Sequence, residues 1–440
     1  MHLPKPERRP ELDALRGLFL VWMTLAHLPT RFSDFVNQPV GFVSSAEGFV
    51  FISALLVGRL SIHELMADPS KVRLKLWKRS LKIYFYHLLM LGIVFTVAAA
   101  VAIHTHKAAL NHLLNFYLAH PFVAVAGSVL LLYCPPLLDI LPMYVTFLFM
   151  TPMLMSAAVR FGWRKILAAS TLVWVLAQFG LRNVVHNWTV HLTHLPIPLQ
   201  ETGAFNLFAW QGIWVVGVWI GTRSAMRGES KEKFPGWIAA LATGACLVFI
   251  GIRHGWLGPH LTQLALGLQL DKWQLGPLRV LNLIAFSLVI YWLRPFLARL
   301  VSIEPFLTLG KASLRVFCAH IFFVFVGLAL LVGDVGADTP GEIEQLHGFT
   351  AIGLLVVTFL TLILVAVNEV RKARADREKR HALDLTAPIS SPAAVSGQEA
   401  PAEGDAECKN GPAAAPERES TEALSAPITD AAALLPASSR

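Results

Sequence analysis

The chain has 440 residues, 55% of them hydrophobic and only 15% charged, with a net charge of +8 at neutral pH and a mean hydropathy of +0.56. That balance excludes an ordinary soluble two-domain protein and marks a polytopic membrane protein, whose natural unit is the span of ~20 apolar residues. The four cysteines, Cys134, Cys246, Cys318 and Cys408, show no CxxC or Cys/His spacing, so neither a disulfide framework nor a zinc module organises the fold.

The first element is announced by "ELDALRGLFLVWMTLAHLPTRFSD", residues 11–34. The basic residues before it have the character of a signal-peptide start, but no small-residue cleavage site follows the apolar run, so a retained first span is expected. Arg16 and His27 stand at its two ends. Ionisable groups in a bilayer are costly and mark function by default. They are eleven residues apart, close to three helical turns and ~16 Å of rise, so both side chains leave one face, with Leu20 and Met23 between them. A plainer reading has Arg16 snorkelling to the headgroups and pairing with Asp13 at i−3.

The second run, 41–60, carries Glu47 near its start in "VGFVSSAEGFVFISALL". An antiparallel hairpin with its turn near 30–40 would bring Glu47 to the depth of His27. There a carboxylate could fix the imidazole tautomer and raise its basicity, as a general base requires. Packing against another helix is the competing explanation for Glu47.

Further apolar runs fall at 81–103, 141–159, 165–181, 205–222, 236–252, 278–298, 313–333 and 349–368. An additional one, 121–138, contains Pro135 and Pro136, which break a helix. Residues 59–82 carry seven basic residues against two acidic, placing that connection and the N-terminus in the cytoplasm. The basic connections near 160, 223, 294–315 and 371 then fall inside, and the acidic loop 333–344, including Asp338, falls outside, provided that 121–138 does not span. The expectation is an all-α protein of about ten transmembrane helices, both termini cytoplasmic, with 121–138 re-entrant or interfacial. A membrane domain would cover 1–370, followed by a basic juxtamembrane stretch and a disordered Ala/Pro/Ser/Glu tail over 371–440.

The ninth run begins in "LTLGKASLRVFCAHIFFVF". Lys311 and Arg315, four residues apart, share a face at the inner mouth and suit an anionic ligand. His320 is about 140° round the helix from Arg315 and is equally readable as a packed core residue. Histidines cluster at 104–120 and 186–194 without an HExxH arrangement, so no metal site is expected.

These segments resemble a known family. The arginine and histidine of the first helix resemble the signature of the acyltransferase-3 superfamily. "LDALRG", "SAEGFVFISA", "DILPMY" at 139 and "LGKASLRVFCAH" are similar to the OpgC family, over residues 10 to roughly 370. The resemblance implies a bacterial inner-membrane O-acyltransferase. It would move an acyl group, succinyl in that family, from acyl-CoA as cytoplasmic co-substrate to sugar hydroxyls of periplasmic glucans, with no bound cofactor and no nucleic acid partner. By the same resemblance Arg16 would hold the anionic donor and His27 would be the catalytic histidine; beside it, the reading of the residues sets Glu47 with His27, Lys311 and Arg315 with Arg16, and Asp13, Asp139, Tyr144 and His320 as possible substrate contacts. Ala54 departs from the glycine expected there. A proton-coupled transporter of an anionic or sugar-like solute is the alternative class, although the two halves of the chain show no similarity. A haem protein would need facing histidines, and His27 and His320 are expected at different depths. The sequence is silent on oligomeric state.

Overall fold

The computed structural model describes residues 9–386 apart from 228–233, 262, 302 and 332–344. The acidic loop at 333–344, part of the basic loop after 223 and the tail from 387 onward lie outside the described residues. Among the described residues the only regular secondary structure beyond an isolated bridge is helical.

Each expected apolar run forms helix. The principal elements are α1 (Pro10–His27), α2 (Ser45–Ala67), α3 (Pro69–Ile93), α4 (Pro121–Val129), α5 (Ile140–Phe161), α6 (Trp163–Gln178), α7 (Leu181–Thr193), α8 (Leu207–Arg227), α9 (Gly236–Arg253), α10 (Pro277–Trp292), α11 (Glu304–Lys311), α12 (Ser313–Leu330) and α13 (Gly348–Thr386). Six of the described spans are long and apolar enough to cross a bilayer, and α6 with α7, bent by 81°, would make a seventh. The chain is therefore a multi-pass membrane protein, with fewer clear spans than the ten expected. The difference has local causes. Glu11, Asp13 and Arg16 lower the apolarity of α1, and α10 is only 16 residues long.

Local chemistry sets the boundaries. Ser44 and Glu47 form a reciprocal capping box at the start of α2. Asp68 caps α3 by accepting from the Ser70 and Lys71 backbone N–H groups, each at 3.0 Å. The Ser70 hydroxyl first, then those N–H groups, hold the Asp68 carboxyl below the usual range. Past Ile93 the helix widens into a π turn, Val94–Ala98, before continuing to Thr105. The Thr96 hydroxyl bonds the Gly92 carbonyl at 2.6 Å and the Tyr117 hydroxyl bonds that of Phe95 at 2.9 Å, giving partners to carbonyls around the widened turn.

The 121–138 run holds no helix long enough to span. Its helix α4 has nine residues, ~14 Å against the ~30 Å of a hydrocarbon core. Beyond it the backbone turns left-handed at Leu131 and Leu137, and Tyr133 and Leu138 are fully buried in protein. At the other end of the chain α13 passes residue 370 without a break.

Two crossings position the site. Where α2 meets α8, a Cβ added at Gly58 or Gly221 would run into the Val218 or Leu55 carbonyl. The methyl of Ala54 is accommodated because residue 217 opposite is glycine, so the missing glycine at 54 is balanced across the interface. Where α1 meets α11, a Cβ at Gly17 would strike the Phe306 carbonyl and one at Gly310 the Asp13 carbonyl. The glycine pair lets these two backbones touch, one residue from Arg16 and one from Lys311.

Candidate functional site

At the Arg16 end of α1 the helices enclose a cavity of about 380 Å³. Its walls carry five cations, Arg16, Arg79, Lys82, Lys311 and Arg315, against two carboxylates, Asp13 and Glu369. Sequence spacing brought Arg16, Lys311 and Arg315 under suspicion, and the fold gathers them in one place together with Asp13 and Tyr144. Arg79 and Lys82 were missed as site residues because they lie in the basic run after 70, whose charge was absorbed into the topology argument.

Each cation is held differently. Arg16 hydrogen-bonds the Ser313 hydroxyl, approaches the Asp13 carboxylate at 3.8 Å, and lies over the Phe49 ring, 5.9 Å from its centroid. Arg315 donates from Nε to the Tyr86 hydroxyl at 3.0 Å and pairs with Glu369 at 2.5 Å. Lys311 ends the short helix that the glycine contact fixes against α1. Tyr144 stands on the far wall with its hydroxyl on the Phe49 carbonyl at 3.1 Å. With three more cations than carboxylates, and with hydrogen-bonded aromatic walls, the cavity suits a ligand bearing several negative charges.

At the opposite end of α1 the imidazoles of His27 and His320 meet. His27 Nδ1 lies 3.3 Å from His320 Nε2, and the rings stack at 5.6 Å between centroids. The expectation that they sit at different depths is corrected here. Ser313 starts α12 beside Arg16, and the side chains of His27 and His320 bridge the difference in rise that remains between the two helices. Contact between the ring nitrogens also leaves no gap for a haem between them. Phe317 packs edge-on against His320 at 4.8 Å.

Glu47 is not the partner of His27. Its carboxylate is fully buried, accepts from Arg279 Nε at 2.7 Å, from the Ser44 N–H at 3.1 Å and from the Ser44 hydroxyl, and has Arg279 Nη2 in ion-pair contact at 2.6 Å. Among the described residues no hydrogen bond links it to His27. The physical reason is that a guanidinium in a dry interior, itself only 1% exposed, must be matched by a carboxylate, and Glu47 supplies it. Arg279 inside an apolar run was the same anomaly that marked Arg16, so its signal was present. Three residues before α2, the Phe42 N–H donates to the Asn282 side chain at 2.7 Å, so Glu47 and Phe42 dock the head of α10.

Asp139, also buried, accepts from the Ala204 N–H at 2.9 Å and so secures the 203–204 turn. Lys272, before α10, lies within electrostatic reach of Glu47, Arg279, Asp139 and His27. Burial draws its ammonium below the usual lysine range, while Glu47 pulls it back up, Arg279 pushes it further down and Asp139 acts with Glu47.

No curated protein and no solved structure matches the chain. A family model described as "OpgC protein" matches residues 8–373. That stretch takes in α1, both glycine crossings, the cation-lined cavity and the facing histidines, and on this match the chain belongs to the OpgC family.

Proposed function

We propose that the protein is a membrane-bound O-acyltransferase of the bacterial cytoplasmic membrane, moving a succinyl group from succinyl-CoA to hydroxyls of periplasmic glucans. The observation that carries this reading is α1 itself, which joins a cavity rich in cations to a pair of contacting histidines ~16 Å further along one face. A CoA thioester has that polarity: phosphates at one end, a reactive carbonyl at the end of a slender arm.

Arg16, Arg79, Lys82, Lys311 and Arg315 then hold the donor phosphates, with arginine suited to bidentate bonding. His27 acts as general base. For its Nε2 to accept a proton, its Nδ1 must carry one and donate it to His320 Nε2, so His320 takes the orienting role first given to Glu47. The sugar hydroxyl loses its proton to His27 as its oxygen attacks the thioester carbon. The C–O ester bond forms, the C–S bond breaks, and the imidazolium returns the proton to the CoA thiolate. Glu47 serves as buried support for α10, and Asp13, Tyr144 and Asp139 shape the walls at either end. The wider acyltransferase-3 kinship and the cytoplasmic position of the Arg16 end belong to the same proposal.

The test is the substitution state of extracytoplasmic glucans, read by mass spectrometry in a strain lacking its own copy and complemented with wild type or His27→Ala. Wild type should restore a fixed mass increment per modified sugar and His27→Ala should not. Equal substitution by the two would remove His27, and with it this mechanism.

A further inference from the structure

One side chain touches both the cavity and the histidine pair. Phe317 belongs to the cavity wall, where it is the lining residue of α12 furthest along the helix from Ser313. Its ring also lies 4.8 Å from that of His320, with 70° between the planes, and His320 Nε2 is the atom 3.3 Å from His27 Nδ1. On α12, a single aromatic ring thus separates the space that suits the donor anion from the imidazoles that suit the chemistry.

That boundary is packed. On α1 the cavity lining ends at Arg16. Leu20 and Met23, the next residues on the same face, are 0% and 2% exposed and share the apolar core with Phe317, itself 3% exposed. A core packed to native density leaves few gaps wider than a water molecule, so an acyl group that starts in the cavity reaches His27 by moving a side chain. Phe317 is the group with somewhere to go: its ring borders free volume and turns about two torsions, whereas Leu20 and Met23 line neither described cavity. Turning the ring gives up its edge contact with His320, and that contact returns it once the arm has withdrawn.

We propose that Phe317 is a partition, turned aside by the acyl end of the donor on its way from the cavity to His27, and that its bulk restricts transfer to slender acyl groups. The proposal rests on the acyl-transfer reading and adds to it a specificity-determining residue. A ring turning inside a packed wall clears a passage of limited girth. A linear chain of the succinyl class passes it, and an acyl group that carries a ring of its own does not.

The experiment uses the full-length protein in membrane vesicles with unsubstituted glucan as acceptor. Two donors that both end in a carboxylate, succinyl-CoA and the wider 3-carboxybenzoyl-CoA, are compared for wild type, Phe317→Leu and Phe317→Trp. Phe317→Leu should raise kcat/KM for 3-carboxybenzoyl-CoA relative to succinyl-CoA roughly tenfold or more, within the range that a few methylene-sized changes in an apolar pocket produce. Phe317→Trp should lower succinyl transfer while the affinity for free CoA, measured separately, keeps its wild-type value, because the phosphates bind without crossing the partition. CoA binding also reports that each variant is folded. A donor ratio in Phe317→Leu at or below that of wild type would overturn the partition, as would a loss of CoA affinity in Phe317→Trp. Loss of both transfers in Phe317→Leu with CoA binding intact would make Phe317 a positioning residue for His320 and overturn it too. A wild type that transfers from neither donor would overturn the acyl-transfer reading itself. A wild type that transfers succinyl, with the donor ratio unmoved in both variants, would overturn Phe317 alone.

Discussion

The two ends of α1 are built on opposite plans. Around Arg16 the walls are open, charged and mismatched, with five cations facing two carboxylates. At the His27 end the polar groups are answered within the protein: the two imidazoles meet each other, as elsewhere in the interior Glu47 meets Arg279 and Asp139 a backbone N–H. An excess of one sign at a cavity is what a large anion requires. Prior hydrogen bonding is what a reacting group requires, because a base held in one tautomer loses little freedom when the reaction begins.

Substitutions at either end should fail in different ways. The largest effect is expected at His27: His27→Ala should lower acyl transfer by ~10²–10⁴, the usual contribution of a general base, with insertion and donor binding preserved. Measuring donor affinity and turnover separately checks this, and a variant that lost donor binding alone would break the division between the ends. Next comes Glu47→Gln. Removing one partner of a buried ion pair leaves the other uncompensated, so a loss of about 3–5 kcal/mol in stability is expected, seen as a lower melting temperature in detergent. If Glu47→Gln instead left stability intact and altered only turnover, Glu47 would belong to the chemistry after all.

Smaller effects are expected among the cavity cations. Arg16→Ala or Arg79→Ala should raise the KM for the donor roughly ten- to hundredfold, the range of one charge-assisted hydrogen bond. Arg16→Lys should fall between Arg16→Ala and wild type, and the salt dependence of KM should weaken in each. Smallest of all, Arg374→Ala removes an exposed pair with Glu378 on α13, outside the cavity walls. It should leave melting temperature and kinetics unchanged within error, since exposed i,i+4 pairs contribute little.

How much of this was legible in the sequence follows the range of the interactions. The helices were readable because apolar runs are local. The Arg16 and His27 alignment was readable because both lie on one helix, and so was the shared face of Lys311 and Arg315, four residues apart; that Tyr144 joins them in one cavity was not. The partner of Glu47 was not: Arg279 is 232 positions away, and no local period links the two. His320 was misplaced for a related reason, since counting residues along each helix ignores how far two side chains 293 positions apart reach towards each other. Arg79 and Lys82 were visible as charge but not as site, because a cation in a basic loop and a cation in a cavity wall look alike until the neighbouring helices are in place.

The glycine contact between α1 and α11 has one more consequence. Gly17 and Gly310 allow the two backbones to touch, and each glycine is next door to a cation, Arg16 on one helix and Lys311 on the other. Two like charges on flexible supports would drift apart and be drawn together only when an anion arrived, so that part of every encounter would go into moving the protein. Backbones in direct contact cannot drift. The repulsion is met once, as the chain folds, and the anion finds a field already shaped to receive it.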